Sequence, residues 1–137
     1  MSEEQLEMAR ETVRLLNAGD LDGLRPLLHP EIAMWGPTGW PETGPMEGPG
    51  AVVRQFERIG EDYEERHSEI VGLTGAGEWV VGGLLWHTRG RASGIESTAE
   101  LWFAARFREG RIVEIRWFWE RDDALGAAGA KGTTPRP

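Results

Sequence analysis

Residues 96–119, ESTAELWFAARFREGRIVEIRWFW, decide the fold of this 137-residue chain. From Glu96 to Arg108, Ala99, Leu101, Phe103, Ala105 and Phe107 alternate with Thr98, Glu100, Trp102, Ala104 and Arg106. Consecutive side chains of a strand point to opposite faces, so this segment is a strand with one almost purely apolar face. Glu109-Gly110 turns the chain. A partner strand over 111–120 then carries Val113, Ile115, Trp117 and Trp119 on one side and Ile112, Glu114, Arg116 and Phe118 on the other.

The same period of two extends upstream, over 78–89 and about 68–74, with Gly75-Ala76-Gly77 and Gly90–Gly94 as punctuation. In 78–89, Val80, Leu84, Trp86 and Thr88 share a face, opposite Trp79, Val81, Leu85, His87 and Arg89. Gly82-Gly83 is a place where a bulge would exchange those two sets. Before residue 66 the period is helical. Leu6, Ala9, Val13 and Leu16 repeat at three- and four-residue steps after a Ser2/Gln5 capping-box spacing, and Gly19 stops the helix. Asp20 caps a short second helix with Leu21, Leu24, Leu27 and Leu28, which His29-Pro30 ends. A strand over 31–35 follows. A third helix starts at Pro49 with Val52, Val53, Phe56, Ile59 and Tyr63 on one face and the acidic run 61–65 as its solvated end. Helices followed by strands mean an α+β fold, an antiparallel sheet with about three helices gathered on its concave side. One domain over 1–125 accounts for the pattern, and the tail 126–137 reads as disordered.

Composition narrows the function. The chain has no cysteine, which excludes disulfides, thiolate metal sites and a cysteine nucleophile. Its net charge of −8 resides in residues 1–66, where 14 acidic residues face 6 basic ones. No basic face exists to neutralise phosphates, so nucleic acid is not an expected partner. No apolar run reaches membrane-spanning length, so no membrane partner is expected and the expected location is the cytoplasm. Seven Trp beside one Tyr point to a large apolar core or a large apolar pocket.

Three stretches carry a family resemblance: LLNAGDLDGLRPLLHPEIAMWGP at 15–37, RGRASGIE at 89–96 and FREGRIVEIRWFWERDDALGAAG at 107–129. Over about residues 4–129 the chain resembles the SnoaL-like branch of the nuclear transport factor 2-like superfamily. That branch includes ketosteroid isomerases, polyketide cyclases and limonene-type epoxide hydrolases. The resemblance implies a cone, a strongly bent sheet wrapped around helices with a deep pocket. It also implies cofactor-free isomerase, cyclase or epoxide-opening chemistry on an apolar cyclic metabolite. The positions that carry such chemistry are apolar here. Gly36-Pro37 stands where isomerases place a general-base Asp. Ala99, Leu101, Phe103 and Ala105 stand where they place a protonated Asp. Leu84, Trp86 and Trp117 stand where epoxide hydrolases hold an Asp-Arg-Asp set. Trp119 falls where isomerases place a pocket Trp. A non-catalytic protein that binds an apolar ligand is therefore the alternative.

On this reading Met34, Trp40, Leu84, Trp86, Leu101, Phe103, Trp117 and Trp119 line the pocket, or else they are core. Tyr63, His29 and Glu42 are the acid–base candidates. The plainer roles are a core Tyr63, a helix-end cap for His29 and a loop surface position for Glu42. Three scattered His give no metal-ligand spacing. The Gly-rich segments lack the strand–loop–helix setting of a nucleotide site, so no cofactor is expected. Trp79, Leu85, Trp102 and Phe118 form an apolar outer face, the expected surface of a homodimer, and the resemblance implies pairing there.

Overall fold

The computed structural model describes residues 2–40 and 42–129. Its elements are α1 (Ser2–Ala18), α2 (Leu21–Leu24), a 3-10 turn (Arg25–Leu27), β1 (Leu28–Trp35), β2 (Met46–Glu47), α3 (Pro49–Glu61), β3 (Tyr63–Ala76), β4 (Trp79–Gly90), β5 (Glu96–Arg108), β6 (Arg111–Phe118) and α4 (Arg121–Ala128). The six strands form one sheet in the order β2-β1-β6-β5-β4-β3. All pairs are antiparallel except β1 and β6, which run parallel, so the sheet is mixed rather than purely antiparallel.

Helices α1 to α3 cover one face of this sheet. Ala9, Val13, Leu24, Val52 and Val53 meet Leu84, Leu101, Phe103, Ala105, Phe107, Ile115 and Trp117 in a single buried core. Asp20 caps α2 as expected, its Oδ1 accepting from Gly23 N at 2.9 Å. Pro49 occupies the first turn of α3. That helix stops at Glu61, and the run expected as its solvated end instead opens β3 at Tyr63. Arg91 from the β4–β5 turn fixes this early exit. Its Nε and Nη2 donate to the carbonyls of Glu61 and Tyr63, and its backbone N–H to that of Asp62. β1 likewise begins at Leu28, ahead of the expected residue 31.

Gly82-Gly83 carries no bulge. β4 and β5 pair without interruption from Trp79↔Arg106 to Arg89↔Glu96. The glycines serve close packing instead. A Cβ on Gly82 would lie 2.4 Å from the Phe103 ring, and one on Gly83 would lie 2.5 Å from the Trp102 ring. The irregularity opposite Gly83 and Leu84 belongs to β3, between Ile70 and Gly72, and another bulge sits on β6, where Arg106 pairs Glu114 but Phe107 pairs Ile112. The extra residue, Val113, moves Ile112 into the core, the reverse of its expected side.

The outer face is not bare. α4 lies across it, with Ala124 wholly buried against Val81, Trp102 and Ala104, and with Trp79 and Phe118 alongside. Trp102 is 8% exposed, and Trp79, Leu85 and Phe118 are half-buried. Of the apolar face expected to form a homodimer, α4 thus covers Trp102, while Trp79, Leu85 and Phe118 keep part of their surface. The helix also overruns the expected domain end at 125, reaching Ala128 before Gly129 takes a left-handed φ of 66°. The rest of the expected tail, 130–137, lies outside the described residues. Among the described residues, no helix is long and apolar enough to cross a membrane.

Candidate functional site

The inner face and its helices enclose two small voids. The larger, about 70 Å³, is walled by Leu16, Phe56, Ile59, Trp40, Leu84, Trp86, Leu101 and Trp117. The smaller, about 30 Å³, lies among Val13, Phe103, Phe107, Ile112 and Ile115. Leu16, Phe56 and Trp117 belong to both walls.

The aromatic rings form two groups. Trp40, from the loop after β1, is tilted 48° against Trp86 with ring centres 6.3 Å apart. Trp86 receives Tyr63 edge-on at 5.4 Å. Trp117 meets Phe103 edge-on at 5.6 Å. Its Nε1–H is buried and finds no hydrogen-bond acceptor among the described residues.

Polar groups touch the larger void only at its rim, through Asn17, Arg66, His67 and Ser68. Two of these side chains are engaged with backbone. Asn17 donates to the Ser68 carbonyl at 2.9 Å and accepts from the Ser68 N–H at 2.8 Å, satisfying the open edge of β3. Arg66 donates to the Leu16 carbonyl at 3.1 Å and so caps α1. His67 is exposed, and its cross-strand partner is His87. Asn17 and Arg66 escaped the sequence reading because polar residues at a helix end carry no periodic signal. Phe56 and Ile59 were legible as the apolar face of α3.

Of the residues expected in the pocket, Trp40, Leu84, Trp86, Leu101 and Trp117 wall the larger void and Phe103 the smaller. Met34 touches neither. It is wholly buried and belongs to the core. Trp119 lies elsewhere. β6 ends at Phe118, the alternation lapses, and the Trp119 indole N–H donates outward to the Thr38 carbonyl at 2.8 Å. Trp119 is 38% exposed and lines a groove of about 340 Å³ with Trp35, Trp117 and Phe118.

The three acid–base candidates do not converge. His29 is 7% exposed and ties β1 to the β5–β6 turn. Its Nδ1 accepts from the Glu31 N–H at 3.0 Å, which leaves Nε2 to donate to Glu109 at 2.9 Å. Glu42 is exposed and pairs with Arg58 at 3.2 Å. Tyr63 opens β3 and lines a polar cleft of about 730 Å³ at the end of the sheet. In that cleft Arg89 holds Glu65 at 2.6 Å and Glu64 at 3.7 Å, while Arg66 and Arg91 donate to backbone carbonyls. Among the described residues, no three His, Asp or Glu side chains gather to hold a metal.

The SnoaL-like domain family matches residues 9–115. No curated protein matches significantly. Among solved structures, an NTF2-like protein of unknown function from Burkholderia pseudomallei superposes with a TM-score of 0.77 at 20% identity, covering 91% of this chain and 96% of its own. TerC, co-crystallised with polyporic acid, gives 0.76 at 13% identity, covering 88% and 94%. A protein with a ketosteroid isomerase-like fold from Catenulispora acidiphila, in complex with trimethylamine, gives 0.71 at 14% identity, covering 85% and 88%. At these identities the likeness shows the fold.

Proposed function

The chain belongs to the SnoaL-like domain family, and from that premise we propose that it binds an apolar cyclic small molecule inside the cone without acid–base catalysis. The observation that carries this reading is the larger void, walled by three indoles and untouched by any carboxylate. Pockets for small molecules are mostly apolar with a few polar groups, which fits that wall. A cofactor-free isomerase, cyclase or epoxide-opening enzyme needs an acid or base at the reacting atom. His29, Glu42 and Tyr63 all lie off the wall of both voids, and the imidazole that does reach the larger one, His67, is exposed. The binding reading therefore has residues behind it, and the enzyme reading rests on the family alone. TerC, the fold relative crystallised with polyporic acid, supports an aromatic class of ligand.

Size sets a condition on the ligand. An apolar cavity of about 150 Å³ takes up a benzene molecule, roughly twice the space found here. A ring-sized ligand therefore displaces the half-buried Trp40 indole and takes its place against Trp86 and Trp117. Titration with tetralin, followed by tryptophan fluorescence, tests this. Saturable quenching is expected, with tighter binding in Trp40→Ala, where the void is already widened. No saturable change in either protein contradicts the proposal.

A further inference from the structure

We infer that the ligand carries a hydrogen-bond acceptor, and that the Trp117 indole N–H is the group that selects it. The inference rests on the binding reading above and adds a chemical class to it: a cyclic ketone, ether or ester rather than a plain hydrocarbon.

Three observations converge on Trp117. It is 8% exposed, and its Nε1 is buried with no acceptor among the described residues. It is also the one tryptophan in the wall of both voids. Buried indole N–H groups ordinarily find a partner. Trp102, equally buried on the opposite face of the sheet, does so: its Nε1 donates to Glu100 at 2.7 Å. Trp119 does so as well, at the Thr38 carbonyl. Trp117 is thus the exception, and it stands where the packing leaves space. A single water in that space is a poor substitute. A buried water needs two to four polar partners, and of the polar residues lining the larger void Asn17 and Arg66 are already engaged with the backbone and His67 is exposed. An oxygen acceptor brought by a ligand meets the donor while the ligand's carbon frame covers the apolar wall.

The pair 1-tetralone and tetralin isolates this contact, because the two share a bicyclic frame and differ by one carbonyl. Binding to the full chain is measured by calorimetry. Tetralone should bind roughly five- to tenfold more tightly than tetralin after correction for their different partition from water, the ordinary worth of one neutral hydrogen bond. Trp117→Phe keeps a ring in the wall and removes the N–H, so the ratio should fall to about one. Equal affinities for the unaltered protein overturn the inference and leave the binding reading intact. Failure of both compounds to bind overturns the binding reading itself. Should Trp117→Phe not fold, the indole proton resonance of Trp117 in the unaltered protein decides. It moves downfield and saturates with tetralone, by more than with tetralin, or the inference is wrong.

Discussion

Phe103 and Trp102 are neighbours on β5, and each lies over a glycine of β4, Gly82 for one and Gly83 for the other. One ring enters the cone and the other goes beneath α4. The two faces of the sheet thus use the same device, a ring seated over bare backbone, to different ends. On the outer face beneath α4 the polar groups are paired: the Trp102 N–H has its carboxylate, and Arg106 and Arg116 are held by Glu114 over Trp79 and Trp35. On the inner face a donor and a void are left open beside each other. Both faces are apolar, so apolarity does not tell structure from site. An unmet donor on a residue that walls an apolar void does.

The comparison can be broken most severely from the outer side. Ending the chain after Glu120 uncovers Val81, Trp102 and Phe118 together. A contiguous patch of that kind should drive self-association. Sedimentation should show the intact chain near its 15.3 kDa mass at micromolar concentration and the shortened chain in larger species. An intact chain that pairs and loses pairing on Trp102→Glu would restore the homodimer through this face.

Single substitutions have smaller effects. Trp102→Ala removes a ring packed on both sides and should cost about 3–5 kcal/mol in urea unfolding. Gly82→Ala and Gly83→Ala force a ring off the backbone, at about 1–3 kcal/mol each. The comparison requires similar losses from the two glycines, because the packing is alike on both faces. Trp119→Phe keeps the ring and loses the bond to Thr38, so about 0.5–1.5 kcal/mol is expected. The smallest effect belongs to α1, where the Arg14 side-chain hydrogen bond holds the Glu11 carboxyl below its ordinary range. A lowered carboxylate pKa stabilises above the unfolded value of 4.5 and ceases to do so as pH falls through the folded one. This pair lies on the helix surface, so solvent screens it and Arg14→Gln should leave the acid unfolding midpoint unmoved.

Much of this architecture was legible in the sequence. Alternation over 78–119 placed Leu84, Trp86, Leu101, Phe103 and Trp117 on the cone side, because a half-buried strand must segregate its faces. It failed where backbone geometry departs from period two. The β6 bulge at Val113 moved Ile112, and the end of β6 at Phe118 released Trp119. Neither event leaves a glycine or proline to announce it. The family wording placed a pocket Trp at 119, whereas the inner ring at this end of the strand is Trp117. α4 was hidden for another reason. Its run of small residues from Gly126 looks like tail, and the contact that buries the helix, Ala124 against Val81, Trp102 and Ala104, is not readable from those residues alone. The signs were there in Asp122 and Asp123 at the first turn and Gly129 at the stop, since acidic residues suit a helix start and glycine its end. The apolar character of the positions that the resemblance assigns to catalysis was readable in advance. The size of the void was not, since packing density depends on how the rings settle.

The central claim is that the cone side of the sheet is the binding face and the α4 side is structural. Titrating tetralin into uniformly ¹⁵N-labelled protein tests it on the seven indole N–H resonances at once. The account predicts saturable shifts at Trp40, Trp86 and Trp117, with Trp79 and Trp102 unmoved. Shifts led by Trp79 and Trp102, or no saturable shift at any indole, would contradict it.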